Sequence, residues 1–243
     1  RTKYSFWEDA TADDDGMLGG VPSVAGFSHT SRIDLRGSRS FLAKLGIGTA
    51  NNRHTVAHAL EGGAGKSKYP IFNKNTNAPL GRDSIGRVTN GLLHGLASHI
   101  DVIEPVAKFN SKLREISDVR HIFNVGLEEW SPADGVLYDL VWIQWCTSIL
   151  WTFLMRCGQT LNPKDGVIVV KENISTSGSD YFDAIDSSQT REDSKFRKLI
   201  TQAGLRIIKT DLQKGLPTVS SRKLLPVRMY ALKPISVGKL VNR

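Results

Sequence analysis

The 243-residue sequence predicts an α/β domain with a seven-stranded, mostly parallel, doubly wound sheet, helices on both faces, and an N-terminal helical and hairpin appendage. Three observations carry this expectation. Short apolar and β-branched runs alternate with segments of helical period, the pattern of strands joined by crossover helices. The first run, Thr55-Val56-Ala57-His58-Ala59-Leu60, meets Glu61-Gly62-Gly63-Ala64-Gly65, where a backbone without Cβ atoms can approach a ligand and take positive φ. The next, Ile100-Asp101-Val102-Ile103-Glu104, ends on a carboxylate, where such a sheet offers an acceptor for ribose hydroxyls.

Taken in order, residues 1–50 precede the first strand and are read as an appendage on the substrate side. They contain Trp7, the acidic run Asp13-Asp14-Asp15 and the turn Gly16-Met17-Leu18-Gly19-Gly20. Residues 38–45 are expected to be a helix with Ser38 as its N-cap. The main domain spans 51–234. Residues 55–60 form strand one. Residues 87–97 are a helix weakened by Gly91 and Gly95. Residues 100–104 are strand two, 106–116 a helix by period, and 121–125 strand three, leading into Gly126-Leu127-Glu128-Glu129-Trp130. Strand four is 138–144. Strand five is 166–171, after turns at Asn162-Pro163 and Asp165-Gly166. A helix at 194–203 ends at Gly204, followed by strand six at 205–209 and strand seven at 227–232. Residues 235–243 form a tail. Glu61, Glu104, Leu127, Gln144 and Asn173 all fall at or just beyond strand ends, which places a polar site along that edge.

Composition narrows the function. The formal charge is +8, but the Lys and Arg residues are dispersed, which speaks against a dedicated nucleic-acid surface. No apolar run is long enough to cross a bilayer, so a soluble, non-membrane protein is expected. Two cysteines, Cys146 and Cys157, have neither metal-ligand spacing nor the density of a secreted staple. They point to a reducing compartment, the cytoplasm and also the nucleus, with no metal bound.

The glycine cradle excludes two alternatives. Gly65-Lys66-Ser67 looks like the end of a phosphate-binding loop, but that pattern needs a glycine where Leu60 stands. A dinucleotide fingerprint fails because Lys68 occupies its third glycine position. Residues 66–84 have no periodicity and are rich in Asn, Lys and Pro. Without them, Gly63-Ala64-Gly65 runs into Ile85-Gly86-Arg87 and reads E-G-G-A-G-I-G-R-V. That string resembles motif I of the class I S-adenosylmethionine-dependent methyltransferases.

Further segments extend the resemblance: Trp7, Gly16-Met17-Leu18-Gly19-Gly20, Val102-Ile103-Glu104-Pro105, Trp142-Ile143-Gln144-Trp145-Cys146, Lys171-Glu172-Asn173, Asp183-Ala184-Ile185-Asp186-Ser187-Ser188 and Pro226-Val227-Arg228-Met229-Tyr230-Ala231-Leu232. Together they make the chain similar to the eukaryotic α-N-terminal protein methyltransferases, in a fungal-like version. The resemblance implies methylation of the α-amine of proteins beginning Xaa-Pro-Lys, with S-adenosylmethionine as cofactor, ribosomal proteins among the substrates, and a monomer. It implies that Gly63, Gly65, Arg87, Glu104, Leu127, Glu128 and Gln144 hold the cofactor, Arg87 on its carboxylate and Glu104 on its ribose. Glu128 stands where the family has a glutamine, which exchanges a donor for an acceptor. Trp7, Leu18, Trp145, Asp183 and Ser188 match the peptide channel, and Asp186 and Asn173 the catalytic positions. Asp183 and Asp186 would receive the substrate lysine and the terminal amine.

Two departures matter most. Residues 66–84 split the cofactor loop and are read as translated, unspliced intron. After Trp145-Cys146 the chain is about five residues short of the family pattern, and the family's active-site histidine is missing. A second reading therefore stays open, a methyltransferase fold that binds cofactor or basic N-termini without turnover. A nucleotide- or nucleic-acid-binding protein is the third.

Overall fold

The computed structural model describes residues 27–50, 53–63, 86–146, 150–183, 188–216, 218–219, 222–223 and 225–235. In chain order the helices are α1 (Phe27–Ala43), α2 (Ala107–Leu113), α3 (Leu150–Gln159) and α4 (Asp193–Gln202), with a π-helical stretch at Thr89–Leu93. The strands are β1 (Val56–Gly62), β2 (Ala97–Ile103), β3 (Val119–Phe123), β4 (Leu140–Gln144), β5 (Val167–Asn173), β6 (Tyr181–Asp183), β7 (Ser188–Thr190), β8 (Leu205–Leu212), β9 (Thr218–Val219), β10 (Arg222–Lys223) and β11 (Val227–Pro234).

Among the described residues, seven strands make one sheet in the order β3-β2-β1-β4-β5-β11-β8. The first five pair in parallel, whereas β11 runs antiparallel to both β5 and β8. The mostly parallel α/β sheet is the expected one. Its central strands read as continuous apolar runs because helices cover both faces: every residue of β4 is buried, and all of β5 up to Glu172. One face buries Leu35, Phe41 and Leu42 of α1 with Ala59, Ile100, Leu140 and Val169. The other buries Phe153 and Leu154 of α3 and Phe196 and Ile200 of α4 against Leu60, Val141, Ile168 and Tyr230. No helix among the described residues is long and apolar enough to cross a membrane.

Two helices differ from expectation. α1 begins at Phe27, eleven residues before the expected N-cap at Ser38. That serine is buried inside the helix, its Oγ donating to the Asp34 carbonyl at 3.0 Å. The inward positions Ser31, Asp34, Leu35, Ser38, Phe41 and Leu42 keep helical spacing, but half of them are polar, so an apolar period is visible only at the C-terminal end. The expected helix at 87–97 is instead the π-helical stretch, and Ala97 already belongs to β2. Gly91 is there because α1 passes close by: a Cβ on it would stand 2.6 Å from Leu35 Cδ1.

Candidate functional site

The parallel strands deliver Gly62, Ile103, Gln144 and Asn173 to one edge of the sheet. At the end of β1, Gly63 has φ +77°, and a Cβ on it would lie 2.3 Å from Cys146 Sγ. A Cβ on Gly62 would meet Phe153 at 3.1 Å and Leu127 at 3.2 Å. Only glycine fits this cradle. The Gly63 amide donates to the Ile103 carbonyl at 2.9 Å and ties the loop to the end of β2. The single S–H of Cys146 has the carbonyls of Gly62 and Gln144 as acceptors, each 3.1 Å from Sγ.

Two carboxyls flank the cradle. Glu104 is buried and accepts the Val106 amide at 2.8 Å. Asn124 holds the same corner by donating to the Glu104 and Pro105 carbonyls at 2.9 and 2.8 Å. Glu61, also buried, accepts Thr89 Oγ1 at 2.6 Å. Burial pushes its carboxyl up to about 7, outweighing the Thr89 hydrogen bond and the Arg87 charge, and the nearby Glu104 adds to the rise.

Beside them lies a buried charge cluster that includes a residue the sequence reading missed. Asp34 of α1 accepts Arg87 Nη1 at 2.7 Å and Gln144 Nε2 at 3.1 Å, and pairs with Lys171 Nζ at 2.5 Å. Burial raises the Asp34 carboxyl, but Lys171 and Arg87 overcome it and hold it at about 2. Burial depresses the Lys171 ammonium to about 8 against the pull of Asp34. Lys171 also donates to Ser38 Oγ at 2.8 Å and Gln213 Oε1 at 3.1 Å. Gln144 Oε1 accepts Trp142 Nε1 at 3.1 Å. Arg87 Nε is buried with no hydrogen-bond partner among the described residues.

Trp145 follows β4 with φ +55°, a left-handed conformation costly for a bulky residue and concentrated at functional sites. It brings the indole ring 5.2 Å from Arg87 Cζ, stacked on the guanidinium. The Trp145 amide donates to the Lys171 carbonyl at 3.2 Å, and the Cys146 amide to Glu172 Oε1 at 2.7 Å. Half-buried Asn173 ends β5.

Half-buried Leu127 and Glu128 sit in a turn closed by Glu129 and Trp130 amides on the Gly126 carbonyl, both at 3.0 Å. Arg156 of α3 holds this turn. Its Nη1 donates to the Glu128 carbonyl at 2.6 Å and the Trp130 carbonyl at 2.8 Å, with Leu127 at 3.4 Å. Trp130 also meets Phe153 edge-on at 5.5 Å.

Asp183 and Ser188 face each other in the register of the β6–β7 hairpin, which an Ile174–Arg191 bridge joins to the residue after β5. Trp7, Leu18, Gly65 and Asp186 lie outside the described residues, as do residues 66–84. The structure thus brings Arg87 and Gln144 together on Asp34 and Trp145 onto Arg87, with Gly63 and Glu104 at the ends of β1 and β2, Leu127 beside Gly62, Glu128 next to it, and Asn173 at the end of β5. His54, His58, His94, His99 and His121 lie before or within strands and not at this edge. Asp34 and Arg156 carry no motif. Their importance comes from partners 53 to 137 residues away for Asp34 and 26 to 29 for Arg156.

Comparison with known proteins bears on this edge. The model of a family described as AdoMet dependent proline di-methyltransferase matches residues 1–233. Alpha N-terminal protein methyltransferase 1 of Schizosaccharomyces pombe is 37% identical over 238 residues, covering 95% of this chain and 94% of its own length. N-terminal Xaa-Pro-Lys N-methyltransferase 1 of Xenopus tropicalis is 35% identical over 222 residues, 87% of each chain. A solved structure of a SAM-dependent methyltransferase from Leishmania major superposes with a TM-score of 0.72 at 31% identity, covering 95% of this chain and 81% of that one.

Proposed function

This chain belongs to the AdoMet-dependent proline di-methyltransferase family, and on that premise we propose that it methylates the α-amine of proteins whose N-terminus reads Xaa-Pro-Lys. It is an S-adenosylmethionine-dependent methyltransferase with the class I fold. The observation that carries the reading is the glycine cradle with Arg87, Glu104 and Gln144 along one sheet edge, in a chain whose similar relatives are named for this reaction. Because those relatives are named as methyltransferases, turnover is favoured over binding alone.

The residues present fit the cofactor. A Cβ on Gly63 would fill the cradle, and Arg87 keeps a buried Nε with no hydrogen-bond partner among the described residues. Arg87 would hold the cofactor's carboxylate, Gln144 the same end, Glu104 the ribose, and Leu127 and Glu128 the adenine, with Gly63 and Gly65 lining the loop. When bound, S-adenosylmethionine supplies a methyl group on a sulfonium, open to in-line attack by a neutral amine. An α-amine titrates near 8, so a modest base suffices. We assign that proton to the Asp186 carboxylate and the orientation of the amine to Asn173. Asp183 and Ser188 take the substrate lysine and backbone, and Leu18 closes the channel. Trp7 and Trp145 offer aromatic faces to the cationic amine. The rest is positioning.

Ribosomal proteins with that N-terminus as substrates, a monomeric enzyme, and a cytoplasmic and nuclear location belong to the same proposal. Two buried cysteines outside any disulfide support a reducing compartment.

The test incubates the full chain, and a version lacking residues 66–84, with labelled S-adenosylmethionine and a Ser-Pro-Lys-initiated peptide. Label is expected on the α-amine and absent when that amine is acetylated. Label on the lysine side chain, or none with either version, overturns the assignment.

A further inference from the structure

Asp34 is 1% exposed and belongs to none of the motifs that make the chain similar to its family. It nevertheless occupies the centre of the polar edge. Its carboxylate takes one donor from Arg87 and one from Gln144, and pairs with the Lys171 ammonium. The Asp34 carbonyl accepts Lys171 Nζ as well, at 3.0 Å. α1 is therefore fastened to β4 through Gln144 and to β5 through Lys171, and the same carboxylate holds Arg87, so both side chains assigned to the cofactor's amino-acid end, Gln144 and Arg87, meet on Asp34.

Among the described side chains paired directly on Asp34, the charges do not balance. Arg87 and Lys171 bring two positive charges and Asp34 one negative, all three almost fully buried. A surplus charge without an anion is costly in such a place. Glu61, a carboxyl that also feels Arg87, keeps its proton up to about pH 7. Arg87 Nε is buried and has no hydrogen-bond partner among the described residues, while the guanidinium lies over the Trp145 ring. Among the described residues that Nε edge has no hydrogen-bond acceptor, and it is suited to a second carboxylate.

We infer that Asp34 is a positioning residue for cofactor binding: it holds Arg87 and Gln144 aimed at the carboxylate of S-adenosylmethionine without touching the cofactor itself. This rests on the reading above that Arg87 receives that carboxylate. It also makes α1 part of the cofactor site.

S-adenosylhomocysteine carries the amino-acid end and 5′-methylthioadenosine lacks it, so calorimetric titration with both separates positioning from general loss of structure. In the full chain, Asp34→Asn is expected to weaken S-adenosylhomocysteine by about tenfold to a hundredfold and to leave methylthioadenosine unchanged, with Asp34→Glu recovering part of the loss. Arg87→Gln is the control, and it should erase the preference for S-adenosylhomocysteine. If it does, but Asp34→Asn weakens both nucleosides alike or neither, the inference fails and the reading of Arg87 stands. If Arg87→Gln leaves the preference intact, that reading fails and the inference with it. A parent chain that binds neither nucleoside overturns both. Asp34→Asn orphans two cations, so Asp34→Asn/Lys171→Met is titrated in parallel, with melting curves to show folding. If neither variant folds, Asp34 is structural and the inference is overturned.

Discussion

Glu61 is a carboxyl that titrates near neutrality because nothing around it replaces water well enough. In the folded protein its pKa is about 7, against 4.5 for the free group. The folded state therefore holds a proton that the unfolded chain has released. Its contribution to stability is complete below pH 4.5 and is lost as pH rises to about 7, a loss of about 3 kcal/mol. Glu61→Gln keeps an acceptor for Thr89 and removes the titration. Its melting temperature should lack the fall that the parent shows across that interval, and a parallel fall in both proteins would contradict the assignment. At this scale the sequence was legible where a residue ends a strand: Gly63, Glu104, Gln144, Trp145 and Asn173 could be placed by counting along apolar runs. Asp34 and Arg156 could not, because each acts only through groups that the fold brings to it.

Among the elements, the central strands were the most legible. β4 and β5 are buried along nearly their whole length and so appear as unbroken apolar runs. α1 was half hidden because its inward stripe carries Ser31, Asp34 and Ser38, of which Asp34 binds Arg87 and Lys171, and Ser38 binds Lys171, instead of oil. The β6–β7 hairpin has exposed Tyr181 and Phe182 and no alternation, so nothing in the sequence announced it. α3 shows what a helix can do at a distance. Arg156 converts its position into the shape of the turn that carries Leu127 and Glu128. Arg156→Met should cost about 2 kcal/mol in chemical denaturation, since it strips a charged donor from several carbonyls at once. It should weaken S-adenosylhomocysteine and methylthioadenosine together, because the adenine end is common to both. A selective effect on one of them would place the turn elsewhere in the site.

For the whole molecule, the test concerns residues 66–84, which interrupt the string read as motif I. Removing them should raise affinity for S-adenosylmethionine and move the melting temperature by only a few degrees. Loop length affects closure entropy slowly, whereas a displaced cradle loses its alignment with the ligand. Calorimetry and thermal melting on both versions check this, and a messenger RNA that retains the segment would dismiss the intron reading. The sheet order carries a consequence for biosynthesis. β11 lies between β5 and β8 but is translated after both, so the ribosome releases two neighbours before the strand that joins them. Until residues 227–234 emerge, each of those strands presents an open edge, a template for wrong pairing. The sheet cannot be completed vectorially, and a ribosome stalled before that point leaves both edges open.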